Sequence, residues 1–188
     1  MRLTKWGYHA DFFLYPAIVL AFSLHGLWRE PAVLAGAWVL AAASGVVVWT
    51  LLEYLLHRVV LHQLVPFKRL HELHHSRPLD LIGTPIWISA VLFFVLWRAL
   101  AQESPPVIAD GVTTGLLLGY LGYVVVHCAV HNLRARHGTW LFDAKRRHAL
   151  HHHARVPCNF GVSTGLWDSV FGSGATPFRD KPREPIRQ

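Results

Sequence analysis

The sequence predicts an all-α integral membrane protein: four transmembrane helices with a histidine-rich dimetal site on the cytoplasmic side. Three observations carry this. The 188-residue chain is 53% hydrophobic and only 15% charged, where a typical soluble domain is about 25% charged. Four apolar segments approach or exceed the roughly 20 residues needed to cross the hydrocarbon core: Phe12 to Trp28, Ala32 to Leu56, Leu81 to Ala99 and Val107 to Val130. Ten of the fourteen histidines fall into four clusters at or just beyond the ends of these segments. The length suits one domain, over residues 1–175, with a polar, proline-bearing tail over 176–188.

The segments follow in order. Arg2, Lys5 and Asp11 precede the first, and no small-residue cleavage site follows it, so it is expected to stay as an anchor rather than a signal peptide. It is short and carries His25. Arg29-Glu30-Pro31 makes a tight connection, Pro31 being suited to a first helical position. The second and fourth segments are longer, so they emerge from the bilayer carrying His57 and His127. The loop after the second holds Arg58, Lys68, Arg69 and Arg77. The third and fourth are joined by the short Gln102–Pro106 turn, and Arg134, Arg136, Lys145, Arg146, Arg147 and Arg155 follow the fourth. Only Arg29 and Arg98 lie near the other side. The positive-inside rule therefore places both termini and all four clusters in the cytoplasm. Gly111, Gly115, Gly119 and Gly122 recur in the fourth segment at a spacing that lets helices approach closely in lipid.

A net charge of +7 would suit nucleic acid, but the basic residues sit where topology needs them and form no patch interleaved with aromatics. Cys128 and Cys158 lack Cys-x-x-Cys spacing and frame no disulfide. They read as reduced cytoplasmic thiols.

The clusters are His57-x4-His62, His71-x2-His74-His75, His127-x3-His131 and His148-x2-His151-His152. Imidazole is the commonest protein metal ligand, and ten at ligand spacing exceed what one ion uses. Residues four apart on a helix lie about 40° apart, so His127 with His131, His71 with His75, and His148 with His152 each grip one ion. His74 and His151 are turned about 100° from their neighbours, and His57 and His62 about 140° from each other. These angles predict one ion on His57, His74, His127, His131 and His151, and another on His62, His71, His75, His148 and His152. Unless the helix breaks, His57 and His62 serve different ions. Imidazoles suit iron, zinc, copper or nickel. Glu53, one turn before His57, is expected to accept a hydrogen bond from its second ring nitrogen. Asp80, Asp168 and His153 are further candidates for supporting the ligands, with capping as the alternative for the carboxylates. His9, His25 and His137 read as interfacial surface residues.

Certain of these residues carry a family resemblance: Glu53-Tyr54-Leu55-Leu56-His57-Arg58-x3-His62, His71-Glu72-Leu73-His74-His75-x2-Pro78-x-Asp80, His127-x3-His131 and His148-x2-His151-His152. The closing Asn159-Phe160-Gly161 and Leu166-Trp167-Asp168-x2-Phe171-Gly172 complete it. This order resembles the membrane fatty acid hydroxylase and sterol desaturase superfamily, most closely its fatty acid 2-hydroxylase branch. The resemblance covers about Glu53 to Gly172. It implies a four-helix base, a cytoplasmic helical cap holding two metals on the ten histidines, and O2-dependent oxidation of a C–H bond on a lipid chain. Many eukaryotic 2-hydroxylases carry a fused haem domain that this chain is expected to lack, which implies a separate electron-donor protein or a bacterial inner-membrane location.

The resulting expectation is a non-haem diiron oxygenase, with zinc able to occupy the same ligands. It would hydroxylate a lipid acyl chain that enters laterally from the bilayer. Trp87, Phe93, Phe94 and Trp97 are placed to line that path or simply to face lipid. Lys145, Arg146 and Arg147 are placed to meet anionic headgroups or an acidic electron donor, or only to set topology. A carotenoid ring hydroxylase or a sterol or lipid desaturase is the alternative within the superfamily. A metal transporter or sensor would want ligands near the bilayer midplane. A zinc hydrolase would want an open three-ligand zinc with a nearby base. Neither pattern appears.

Overall fold

The computed structural model describes residues 2–29 and 35–175. The turn through Glu30 and Pro31, the expected start of the second segment at Ala32 and the tail from Thr176 lie outside the described residues. Within them the chain is helical: α1 (Lys5–His9), α2 (Asp11–Arg29), α3 (Ala35–Leu55), α4 (Phe67–Ser76), α5 (Ile86–Glu103), α6 (Pro106–Asn132), α7 (Trp140–His153) and α8 (Leu166–Val170). α3 runs directly into a π-helical turn, Leu56–Leu61. Four helical stretches are long and apolar enough to cross a membrane: 5–25, 35–61, 86–103 and 106–132. Among the described residues no strand forms, and the sole bridge pairs Arg2 with Ile82.

α6 is the hub, with α2, α3 and α5 packed on it. Its glycines explain the closest of these contacts. A Cβ on Gly115 would stand 2.0 Å from the Ala42 carbonyl oxygen, one on Gly111 would stand 2.7 Å from Ala41 Cβ, and one on Gly119 would stand 2.5 Å from Trp49 Cβ. Gly45 completes the seam from α3, where a Cβ would lie 2.3 Å from the Val112 carbonyl oxygen. Small residues let the backbones meet where lipid offers no hydrophobic drive to association. A Cβ on Gly122, expected in the same stripe, would meet nothing within 4 Å. Gly122 shares the stripe's face, but Trp49 fills the seam at Gly119 and the helices part beyond it.

At the far end of the bundle, buried Asp110 ties three helices together. It accepts from Trp97 Nε1 of α5 at 2.9 Å and pairs with His25 Nδ1 of α2 at 2.8 Å. His25 is therefore a bundle contact, not merely the interfacial residue expected. Nearer the histidines, the rings of Tyr15, Trp49, Phe93 and Tyr120 pack edge to face or tilted.

The third apolar segment, expected from Leu81, becomes helical only at Ile86. Its first residues are held extended by the N-terminus: the Leu3 amide donates to the Leu81 carbonyl at 2.8 Å, and Arg2 pairs with Asp80 at 2.6 Å. Pro85 then starts the helix. α5 buries no residue within the protein, and Trp87 and Phe94 are exposed, as suits a lipid-facing helix. α4, α7 and α8 form a polar cap over the ends of α3 and α6 that carry His57 and His127.

The seam yields a contrast. Gly115→Val overpacks it, which typically costs about 1–3 kcal/mol, so the thermal midpoint in detergent is expected to fall by several degrees. Gly122→Ala is expected to leave that midpoint unchanged.

Candidate metal centre

The π-helical turn decides how the histidines divide. With i→i+5 bonding, residues five apart come to lie nearly one above the other. His57 and His62 thus face the same way, with ring centroids 5.3 Å apart. The helix does depart from α geometry, and the expected partition changes with it. One group comprises His57, His62, His71, His75 and His151, and the other His74, His131, His148 and His152. His127 joins the second, its Nε2 being 3.2 Å from that of His131. Each i,i+4 pair stays together as expected. The corrections are that His57 and His151 sit with His71 and His75, while His148 and His152 sit with His127 and His131. The parallel rings of His75 and His152, 4.2 Å apart, form a wall between the groups.

The nitrogens meet in a way that hydrogen bonding does not explain. Nε2 of His57 lies 3.0 Å from Nε2 of His71, His71 is 2.9 Å from His75, His131 is 2.8 Å from His148, and His148 is 3.0 Å from His152, in each case between Nε2 atoms. His57 Nδ1 donates to the Phe160 carbonyl at 2.5 Å, and His151 Nδ1 donates to the Cys158 carbonyl at 2.8 Å. These bonds place the ring proton on Nδ1 and leave Nε2 a bare lone pair. His74 Nε2 is buried without a partner, an arrangement that costs about 1–3 kcal/mol if nothing compensates. Lone pairs converging on lone pairs fit metal ions, and ten imidazoles with no carboxylate in either group suit iron, zinc, copper or nickel.

Charge agrees with geometry. Burial first, and neighbouring imidazoles second, hold His74 down to about 3 and His75 down to about 4. The same two causes push His71, His148 and His152 well below their ordinary value. Burial also lowers His151 and His62. Neutral imidazole is the ligating form.

The expected supporting residues act one step further out. Glu53 does not bond His57. Its carboxylate accepts the amides of Val162 and Ser163 at 2.7 and 2.8 Å and the Ser163 hydroxyl at 2.5 Å. Asp168 accepts the amides of Phe160 and Gly161, both at 2.8 Å, and the Ser173 hydroxyl at 2.7 Å. Both carboxylates are buried, and between them they fix the loop whose carbonyls orient His57 and His151. Asp80 reaches no histidine and pairs instead with Arg2 and Arg77. His153 is exposed beside His152.

Sequence reasoning missed the carbonyls of Cys158 and Phe160, although the Asn159-Phe160-Gly161 run signals them. Asn159 has a φ of 53°, a left-handed conformation that asparagine tolerates. A Cβ on Gly161 would stand 2.0 Å from the Thr164 carbonyl oxygen. The loop thus needs those residue types for its turn. Cys158 is buried and Cys128 partly so.

An apolar cavity of about 570 Å³ reaches the histidines from the bundle. His57, His71, His74 and His127, drawn from both groups, form part of its wall. Leu52, Leu56, Leu92, Phe93 and Leu96 line it between α3 and α5. These two helices both pack on α6 but share no extensive contact with each other. Of the aromatics expected along a lipid path, Phe93 lines the cavity, whereas Trp87, Phe94 and Trp97 do not. Lys145 caps the end of α6 by donating to the Leu133 carbonyl at 2.8 Å.

A helical membrane bundle capped by two imidazole cages defines a class of membrane metalloprotein. A family model described as fatty acid hydroxylase matches residues 42–173, and the chain belongs to that family. It is 34% identical over 146 residues to the dihydroceramide fatty acyl 2-hydroxylase FAH2 of Arabidopsis thaliana, covering 71% of this chain and 60% of that protein. It is 32% identical over 139 residues to the fatty acid 2-hydroxylase of Homo sapiens, covering 68% and 37%. The chain thus spans less than two thirds of the length of these relatives. A solved structure, full-length scs7p with only its hydroxylase domain visible, shares the fold with a TM-score of 0.78 at 24% identity, covering 100% of this chain and 70% of that one.

Two outcomes follow. Asp168→Asn removes a charged acceptor from the orienting loop, and metal affinity is expected to fall about 10–100-fold, read as metal retained after dialysis against a graded chelator. The second concerns the metal-free protein. Above pH 6.5 neither the folded nor the unfolded chain protonates these histidines. Below it only the unfolded chain binds protons until the folded values near 3–4 are reached. Stability therefore declines as pH falls through that window, and the thermal midpoint of metal-free protein is expected to be lower at pH 5.5 than at pH 7.5.

Proposed function

We propose that this protein is a membrane-bound, non-haem diiron oxygenase that hydroxylates the acyl chain of a membrane lipid with dioxygen and electrons from a separate protein. The observation that carries the reading is the apolar cavity whose wall includes histidines of both groups. Such a space takes a hydrocarbon chain, and nothing else in the centre asks for an apolar approach. The names of the relatives, which are acyl 2-hydroxylases, favour an acyl chain over a carotenoid ring or a sterol, and favour oxidation at the carbon next to the carbonyl.

His57, His62, His71, His75 and His151 would hold one iron, and His74, His127, His131, His148 and His152 the other. Zinc would bind the same sets. When bound, the metal pair supplies the activation of dioxygen and the oxidation of an unactivated C–H bond. The balance is one dioxygen, two electrons and two protons, giving one hydroxyl on the chain and one water. The protein keeps its ligands neutral and preoriented through the Cys158 and Phe160 carbonyls. It excludes water with leucines and aromatic rings, and it leaves a gap between α3 and α5 through which a chain slides from the bilayer.

The distribution of Arg and Lys supports a cytoplasmic cap and cytoplasmic termini. The named relatives are eukaryotic, so a bacterial inner membrane rests only on the expectation of a separate electron donor. A transporter reading fits poorly, because the histidines sit at helix ends and in the cap rather than at mid-membrane.

Expression in a host lacking the activity, followed by lipid mass spectrometry, tests the reading. The expected result is a gain of one oxygen on acyl chains, next to the carbonyl. A gain on a carotenoid ring would move the assignment to that alternative. His127→Ala and His151→Ala are each expected to lower activity more than 100-fold and to reduce bound iron, and full activity in either would reject the metal assignment.

A further inference from the structure

The cavity's polar groups are few, and nearly all are already engaged. Both Glu53 oxygens are taken by Val162 and Ser163. Asp11 Oδ2 accepts from the Tyr120 hydroxyl at 3.0 Å, and its Oδ1 is occluded. Ser89 accepts from Tyr15 and donates to the Ile86 carbonyl. Thr84 lies on the exposed rim. Trp49 Nε1, like Asp11 Oδ1, is occluded, and two phenol hydroxyls remain, those of Tyr8 on α1 and Tyr123 on α6. Both residues line the cavity, and neither hydroxyl makes a hydrogen bond among the described residues. Both lie at the histidine end. The Tyr123 ring stacks on that of His127, with centroids 5.6 Å apart and planes 8° apart. Tyr8 shares the lining of this one cavity with Tyr123, His127 and Cys128.

A hydrocarbon chain gives such hydroxyls nothing to bond. An acyl carbonyl does, since its oxygen accepts from O–H donors. We propose that the Tyr8 hydroxyl, together with that of Tyr123, donates to the carbonyl oxygen of the bound acyl group and so selects which carbon lies against the histidines. The inference rests on the hydroxylase reading above. It makes Tyr8 a substrate-binding residue contributed by the N-terminal helix, and it explains why an otherwise featureless chain stops at one register: the carbonyl is the only polar mark along it. Amide-linked and ester-linked acyl chains share this acceptor, whereas an alkyl ether lacks it.

The test compares full-length, iron-loaded wild-type protein with Tyr8→Phe in lipid nanodiscs, on an amide-linked acyl lipid and on its ether-linked analogue. The ring and its edge contact with His9 survive this change, so iron content and thermal midpoint are expected to match wild type. On the acyl lipid KM should rise about 3- to 10-fold, the worth of one neutral hydrogen bond, with kcat little changed and with hydroxylation spreading to the next carbon. On the ether analogue the variant and wild type should be equal. A purely structural role for Tyr8 would lower both substrates alike and so overturns the proposal. Wild-type KM and an unchanged product position in Tyr8→Phe overturn it while leaving the hydroxylase reading standing. A wild-type protein that hydroxylates neither lipid sinks that reading and the proposal together.

Discussion

Two buried carboxylates hold one loop, and the candidate metal centre depends on that loop. Glu53 and Asp168 together accept four backbone amides and two hydroxyls from Phe160–Ser163 and Ser173. A buried carboxylate is costly unless its lone pairs are met, and here every acceptor is committed to shaping the chain. The loop's own carbonyls then fix the rings of His57 and His151. Glu53 belongs to a spanning helix and Asp168 to the cap, so the loop also joins membrane base to cap. Tyr54 and Trp167 extend the joint: Tyr54 shares a hydrogen bond with Ser173 at 3.0 Å, and Trp167 Nε1 donates to Thr50 at 3.0 Å.

Much of this was legible in the sequence, and what was not has physical reasons. Apolar length found the four spanning helices, because hydrocarbon thickness sets a length that composition reveals. The histidine clusters found the centre, because i,i+4 spacing on a helix is geometry rather than context. The division of ligands between the groups failed at His57 and His62, where an α-helical rotation was applied to a turn that is π-helical. Nothing in Leu56–Leu61 announces that turn. Glu53 was correctly singled out but given the wrong partner, since adjacency along a helix does not reveal a loop more than a hundred residues away. α5 began late because the N-terminus holds Leu81 and Ile82 extended, a long-range pairing that local hydropathy does not register. Cavity-lining residues such as Tyr8 carry no spacing signal at all.

The bundle serves two opposed needs. α3 and α6 must be locked so that His57 and His127 stand at a fixed separation, and the glycine seam does this over about two turns. Beyond Trp49 the bundle must also leave room for the apolar cavity that reaches the histidines. Trp49 sits at the junction, its Cβ region pressed on Gly119 and its ring turned toward Phe93 and Tyr120. α5, which buries no residue within the protein, closes one side without being welded to α3. Close packing is thus concentrated along one helix pair, and α5 is left loosely packed.

The π-helical turn has a consequence for how this chain tolerates change over evolutionary time. Leu56, Val59, Val60 and Leu61 are ordinary apolar residues, and exchange among similar side chains should pass unnoticed. Their number is another matter. Loss of one residue from this turn would let the helix relax to regular winding, and every side chain beyond it would rotate by about 100°, carrying His62 out of its cage. The segment is thus permissive in composition and strict in count, so insertions and deletions should be far rarer here than substitutions.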